Sequence, residues 1–93
     1  MQKVDEINLT VYIPTANYKY YHGCRRMGRD KEGLLKVTRV IWTEDLDLNY
    51  ASTDYTVAEN LLNSIKKYAI ELNVKYGIAT VHIYKKIKVD MAD

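Results

Sequence analysis

One segment in the second half of the chain has the period of an amphipathic helix, and this segment limits the fold more than any other. Apolar residues recur there at spacings of three and four: Val57, Leu61, Ile65, Tyr68 and Leu72, widened by Ala58, Leu62 and Ala69. Such a stripe is typical of a helix that packs one side on a core. The pattern therefore predicts a single helix, and the remaining chain must supply the surface that it covers.

The start and the end of this helix have their own signals. Thr56 and Glu59 fit the Thr-x-x-Glu capping box, in which each side chain bonds to a free backbone N–H group. Three residues about one turn earlier are alternative caps: Ser52, Thr53 and Asp54. Gly77 is expected to end the helix, since glycine favours the position after a last helical turn.

Four segments outside the helix read as strands: residues 6–14, 17–24, 34–43 and 78–89. In the first, Ile7, Leu9, Val11 and Ile13 alternate with polar residues, the period of a half-buried strand. Pro14 is expected to end this strand or to mark a sheet edge. In the third, two partly apolar rows are expected: Leu35, Val37 and Ile41, interrupted by Arg39, and Leu34, Val40 and Trp42.

The order β-β-β-α-β predicts an α+β fold, a four-stranded mixed sheet with one amphipathic helix on one face. All 93 residues are expected to form a single domain, residues 1–93. A strand–helix–strand connection within one sheet is normally right-handed. One helix cannot cover both faces of four strands, and Tyr12 and Trp42 are candidates for the uncovered face. Exposed apolar patches mark interfaces, so we expect a homodimer or a higher oligomer.

Charge is segregated along the chain, although the formal net charge is only +2. Residues 19–39 hold seven basic and two acidic side chains, residues 44–59 hold five acidic and no basic ones, and residues 66–88 hold six lysines and one glutamate. Basic patches suit nucleic acid, and patches of both signs suit self-association. The same runs are equally compatible with solvated faces that bind nothing.

The basic block contains "YHGCRRMGRDKEG", residues 21–33, which we expect to join the second and third strands with a long, mobile hairpin tip. Arginine pairs with phosphate in bidentate fashion, and tyrosine rings stack on bases. The hypothesis is a site for an anionic ligand, either nucleic acid or a nucleotide. Its candidate residues are Arg25, Arg26, Arg29, Lys31, Tyr18, Tyr20 and Tyr21. The alternative is a solvated turn beside an aromatic strand that packs or dimerises.

The three strands are followed by the helix segment "STDYTVAENLLNSIKKYAIELN", with Thr56, Ala58, Glu59, Leu62 and Ala69, and then by the strand "ATVHIY". This arrangement resembles the first part of the ribonuclease H-like fold, and the resemblance covers about residues 6–86. The nuclease chemistry of that family needs clustered carboxylates that hold two divalent metals. This chain has "VYIPTA" and Lys85–Lys86 where two of them belong, so the resemblance implies a fold without the nuclease. Glu59 is then expected to be a capping residue.

Other chemistry has little support in the sequence. A single cysteine, Cys24, excludes an internal disulfide, and no metal or cofactor is expected. His22 and Cys24 could form a nucleophilic pair, but no third group that would orient them is identifiable. No apolar run has the length of a membrane span, and the charged start does not resemble a signal peptide. We therefore expect a cytoplasmic protein that does not contact membranes and is not an enzyme.

Two functional hypotheses remain. The first is a small non-catalytic binding protein whose basic, tyrosine-rich hairpin holds nucleic acid or a nucleotide. The second is an oligomeric interaction protein that inhibits a partner protein, as phage-encoded inhibitors of host defence factors do; the Lys-, Asn-, Ile- and Tyr-rich composition fits this without showing it. Salt dependence separates them, because binding to phosphates weakens steeply with salt.

Overall fold

The computed structural model describes residues 1–69 and 71–92, without the side chains of Arg26, Met27 and Thr38. Its elements, in chain order, are strands β1 (Gln2–Ala16), β2 (Lys19–Arg29) and β3 (Leu35–Thr43), a 3₁₀ turn (Leu48–Tyr50), helix α1 (Tyr55–Tyr68) and strand β4 (Tyr76–Asp90). The predicted α+β class, with four strands and one helix in the order β-β-β-α-β, is confirmed.

The four strands form one sheet in the order β3-β2-β1-β4. All three pairings are antiparallel, whereas the sequence led us to expect a mixture of parallel and antiparallel neighbours. The difference arises at β4, which pairs with β1 at the opposite edge of the sheet from β3 and runs antiparallel to it. The connection from β3 to β4 therefore joins antiparallel strands, and the right-handed crossover rule, which applies to parallel strands, does not govern it.

Helix α1 is shorter than predicted and is capped by Asp54, whose Oδ1 accepts a hydrogen bond from the Thr56 backbone N–H at 2.8 Å. The proposed Thr56–Glu59 box is therefore wrong, and one of the alternative caps is right. The helix ends at Tyr68 with Ala69 as its C-cap, so Gly77 is not its stop.

The buried side of α1 is also rotated relative to the predicted stripe. Val57 and Leu72 are 54% and 87% exposed, and Leu72 lies beyond the last turn. The buried helix residues are Ala58, Leu62, Ser64 and Ile65. Ile65 has no exposed surface and packs with Ile13, Tyr21 and Val37 at the centre of the core.

Strands β1 and β2 separate soon after the turn that joins them. They pair only at Thr15–Tyr20 and Ala16–Lys19, and one further backbone pair joins Tyr12 to Ser52. Pro14 therefore lies inside β1, between these contacts, rather than at its end. Proline has no backbone N–H group to donate. It is tolerated at this position because β1 and β2 do not pair there, so no strand hydrogen bond is lost.

Strands β1 and β4 pair along their full length and extend beyond the helix as a two-stranded ribbon. We call residues 2–10 and 82–90 the arm. Large apolar side chains are exposed on it: Val4 58%, Ile7 40%, Leu9 41% and Tyr84 59%. Tyr84 also contacts Glu6, and this hydrogen bond, together with partial burial, raises the pKa of the tyrosine. The molecule is consequently elongated, with extents of 56 × 27 × 18 Å.

The two aromatic residues predicted for an uncovered sheet face are instead packed within the chain. Tyr12 makes an edge-to-face contact with Tyr55 at 5.3 Å between ring centroids. Trp42 lies 6.1 Å from both the Tyr21 and the Tyr76 ring. That prediction is wrong because Ser52 and Tyr55 fold back beside Tyr12, and Trp42 packs against the core. Exposed apolar side chains lie on the arm and also elsewhere, for example Val57 and Leu72.

Candidate functional site on the β2–β3 hairpin

Irregular pairing between β2 and β3 decides which side chains point away from the core. Between the pairs Arg25–Arg39 and Arg26–Val37, β3 contains one residue more than β2. A bulge of this kind shifts the alternation of side chains by one position. The single rows expected along β3 are thus wrong. Leu35, Val37, Val40 and Trp42 all pack against the core, while Arg39 and Ile41 are exposed.

A second irregularity lies in β2 between Tyr21 and Cys24. Gly23 is in this bulge at φ 102°, a left-handed conformation that glycine adopts without the steric penalty of a side chain. The bulge keeps Tyr21 and Cys24 on the core side, where the Tyr21 hydroxyl donates a hydrogen bond to Cys24 Sγ at 3.1 Å. Glycine in "YHGCRRMGRDKEG" thus shapes a strand, and most of this stretch is not a loop.

Arg25 and Arg39 are directly opposite each other on β2 and β3, and both are exposed. Directly opposed residues in antiparallel strands have Cα atoms about 5 Å apart. None of the ion pairs in the described part of the chain involves either arginine. Like charges in this arrangement destabilise a strand pair. The geometry therefore offers two adjacent guanidinium groups that have no acidic partner among the described side chains.

These arginines line an open groove of about 760 Å³, together with His22, Gly23, Cys24, Ile41 and Tyr50. The Tyr50 ring lies 4.7 Å from the His22 ring, so the groove combines aromatic and cationic walls. The Nδ1 atom of His22 is buried and has no hydrogen-bond partner among the described residues. The groove therefore combines an imidazole, a phenol ring and two guanidinium groups.

The tip of the hairpin, residues 30–34, is short and is held against α1, in contrast to the predicted long, mobile tip. Asp30 Oδ1 accepts hydrogen bonds from the backbone N–H groups of Glu32 and Leu34, both at 2.9 Å. Its Oδ2 accepts from Lys67 Nζ at 2.8 Å and from the Tyr68 hydroxyl. Lys67 also reaches Glu32 at 2.7 Å.

These contacts shift the pKa values of Asp30, Lys67 and Tyr68. The hydrogen bonds from Lys67 and then Tyr68 hold the pKa of Asp30 well below its ordinary value of 3.8. The hydrogen bonds to Asp30 and Glu32 raise the pKa of Lys67 above 10.5. Burial, followed by the hydrogen bond to Asp30, raises the pKa of Tyr68. The acidic residues of the tip are thus engaged by the helix.

The turn between β1 and β2 carries the most exposed of the predicted tyrosines. Asn17 and Tyr18 have φ values of 49° and 66°, as both central residues of a type I′ turn require. Asparagine tolerates this conformation, whereas a tyrosine there costs about 1–2 kcal/mol. Tyr18 is 80% exposed, and Lys75 Nζ donates to its hydroxyl at 2.8 Å.

The predicted site residues are therefore dispersed. Tyr21 is buried in the core and Tyr20 is half-buried, so Tyr21 offers no stacking surface. Arg29 donates to the Gly33 carbonyl at 2.7 Å, and Lys31 is exposed at the tip. The side chain of Arg26 lies outside the described residues. Of the predicted arginines with described side chains, only Arg25 lines the groove.

The sequence did not identify three residues: Arg39 and Tyr50, which line the groove, and Lys75, which contacts Tyr18 at the β1–β2 turn. Arg39 had a usable signal, because it interrupts an otherwise apolar row of β3. Tyr50 ends the 3₁₀ turn that follows β3, and Lys75 precedes β4; neither lies in a periodic segment whose pattern could have identified it.

Of the residues weighed for catalysis, His22 and Cys24 both line the groove. Glu59 is exposed on α1. Within residues 1–69 and 71–92, no group of three His, Cys, Asp or Glu side chains is placed to hold a metal ion. In that same part of the chain, no helix has the length and apolarity needed to cross a membrane.

Comparison of the chain with models of protein families, with curated proteins and with solved structures gives no match. The resemblance to the ribonuclease H-like fold therefore stays a prediction from the sequence.

Proposed function

We propose that this chain is a small non-catalytic binding protein that holds an anionic ligand, nucleic acid or a nucleotide, on the exposed side of its β2–β3 hairpin. The observation that carries the proposal is the opposed pair Arg25 and Arg39, exposed and without an acidic partner in the described residues. A phosphate between the two guanidinium groups would replace their repulsion with charge-assisted hydrogen bonds. The single free cysteine fits a reducing compartment, and we place the protein in the cytoplasm.

Other charges near the pair support this choice of ligand. Lys36, three residues before Arg39 on β3, is exposed and also takes no part in an ion pair of the described chain. The acidic residues of the hairpin tip, Asp30 and Glu32, are bonded to Lys67. The hairpin side of the groove is thus positively charged, which attracts polyanions.

A binding assay with a fluorescein-labelled single-stranded oligothymidylate tests the proposal. Replacing Arg25 and Arg39 by alanine removes two charged hydrogen-bond donors, each worth about 1.5–3 kcal/mol, so affinity should fall by about a hundred-fold or more. The dependence of log K on log salt should become shallower by about 1.4, since each phosphate contact contributes about 0.7 for single strands.

The matched control is the double variant Lys66→Ala/Lys88→Ala, which removes the same charge from two exposed residues outside the groove. It should bind almost as the wild type does. Equal weakening by both double variants would mean that only net charge matters, and that result would contradict a site at Arg25 and Arg39.

A second candidate function, an oligomeric interaction protein that inhibits a partner, is favoured by a different observation. The arm exposes Ile7 and Leu9 by 40% and 41% on a ribbon of two strands. Isolated two-stranded ribbons are marginally stable in water. Contact with a second copy of the chain or with another protein would cover this apolar surface, and binding through it would depend little on salt.

A further inference from the structure

The β-sheet registers join the arginine groove to a second, aromatic groove on the same face. Along β3, Arg39, Ile41 and Thr43 alternate without a bulge and so point to one side. Thr43 is opposite Tyr20, which is opposite Thr15 on β1, which is opposite Gly77 on β4. We call this continuous strip, from Arg25 and Arg39 to Gly77, the outer face.

The second groove, of about 370 Å³, lies at the β4 end of the outer face. Its lining includes Thr15, Tyr18, Tyr20, Lys75 and Gly77, and its surface is largely apolar. Gly77 carries no side chain, and a Cβ there would approach Thr15 Oγ1 to 3.3 Å. The absence of that side chain leaves room in the groove. An aromatic wall with one adjacent ammonium group suits a base and its phosphate.

Tyr18 provides the independent observation that this groove is used. Its backbone has a left-handed conformation, which is unfavourable for tyrosine, and its large ring is 80% exposed to solvent. Glycine at this turn position would avoid the cost. Lys75 stands over the ring, 5.1 Å from its centroid, and bonds its hydroxyl. Lys75 thus orients the ring at the edge of the groove, although most of the ring is exposed to solvent.

The length of the outer face indicates the kind of ligand. From Arg39 to Thr43 the strand advances about 13 Å, and two further strands add about 10 Å sideways. One strand of nucleic acid advances about 3.4 Å per stacked nucleotide. The distance from one groove to the other is therefore about four or five nucleotides, too long for a mononucleotide.

Resting on the proposed function, we propose that the ligand is single-stranded nucleic acid, whose phosphates contact Arg25 and Arg39 while a base several nucleotides away stacks on Tyr18 beside Lys75. The outer face then binds with a positive groove at one end and an aromatic platform at the other. This is the combination that proteins use for single strands without strong sequence preference.

The test measures the affinity of the protein for oligothymidylates from about two to about twelve nucleotides long, that is, for ligands both shorter and longer than the distance between the two grooves. Affinity should rise steeply up to about five nucleotides and then level off. Tyr18→Gly removes the ring and relieves the strain of the left-handed backbone. It should therefore raise the melting temperature of the protein and lower its affinity for long oligonucleotides by about ten-fold. Tyr18→Phe keeps the ring and should bind as the wild type does, and dinucleotide binding should be unchanged in both variants.

Two results would overturn the inference. One is equal affinity of short and long oligonucleotides for the wild type. The other is unchanged binding of long oligonucleotides by Tyr18→Gly, which would make Tyr18 a turn residue only. Either result could coexist with weakened binding by Arg25→Ala/Arg39→Ala, in which case the anion site would stand and its extension would not. Loss of affinity in Tyr18→Gly together with retention in Tyr18→Phe supports the extended site.

Discussion

Asp30 illustrates how a single residue can decide the role of a basic segment. The sequence places it among arginines, where it would partly neutralise them, but its two carboxylate oxygens are taken by the hairpin backbone, Lys67 and Tyr68. Its side chain is only 10% exposed. Asp30 therefore anchors the hairpin tip to α1, and Arg25 and Arg39 keep their charge uncompensated.

The Asp30 cluster predicts a specific dependence of stability on pH. Because the pKa of Asp30 is lowered in the folded state, its contribution is present above the ordinary value of 3.8 and is lost as pH falls below it. Asp30→Asn should melt at a lower temperature than the wild type near neutral pH, and the difference should shrink in acid. Thermal melts by circular dichroism across pH measure this.

The control is Glu44→Gln, which neutralises an exposed carboxylate in the chain after β3. It should show no comparable difference at any pH. A gap between wild type and Asp30→Asn that stays constant down to strong acid would indicate lost packing or turn geometry in place of the charge interaction.

At the scale of elements, the strands with unbroken alternation could be predicted and the irregular ones could not. The position of β1 follows from the strict alternation of apolar residues at Ile7, Leu9, Val11 and Ile13, because a period of two residues is compatible only with a strand. The β2–β3 hairpin contains bulges, and glycine at 23 or 28 signals an irregularity without telling which strand carries the extra residue. The exposure of Arg39 depends on that detail. The helix start was similarly open, since Asp54 and Thr56 both satisfy the rules for a cap.

The arm is the element whose role is least explained by the chain itself. Its two strands pair over their whole length, but Ile7 and Leu9 remain about two-fifths exposed, at 40% and 41%. The β4 strand of the arm carries Lys85, Lys86 and Lys88, and lysines discourage edge-to-edge pairing. Association is therefore expected through the apolar side chains of the arm and not through the β4 edge.

We predict that light scattering at micromolar concentration reports a dimer or a larger species. Ile7→Ser/Leu9→Ser should shift it to the monomer, because the substitutions remove exposed apolar surface worth about 25 cal/mol per Å² on burial. The helix and its core should melt nearly as before, since both side chains lie outside the core. A wild type that is monomeric over the whole concentration range would rule out self-association through the arm.

At the scale of the whole molecule, the chain exposes two surfaces of different chemistry. The outer face carries the exposed arginine pair and the Tyr18 platform, while the arm carries exposed apolar residues. The first surface suits the proposed polyanion, and the second suits the proposed protein partner. Composition alone suggested both partners, and the strand registers show which residues belong to each surface.

The proposed ligand site is tested most directly by mapping backbone amide NMR shifts during titration with a single-stranded oligothymidylate. We predict that the shifts concentrate on the outer face: around Tyr18 and Tyr20, Arg25, Arg39 to Thr43, and Lys75. Residues 2–10 on the arm and the exposed side of α1 should change little. Shifts confined to the arm or to α1, or no shifts at saturating oligonucleotide, would contradict a nucleic-acid site on the β2–β3 hairpin.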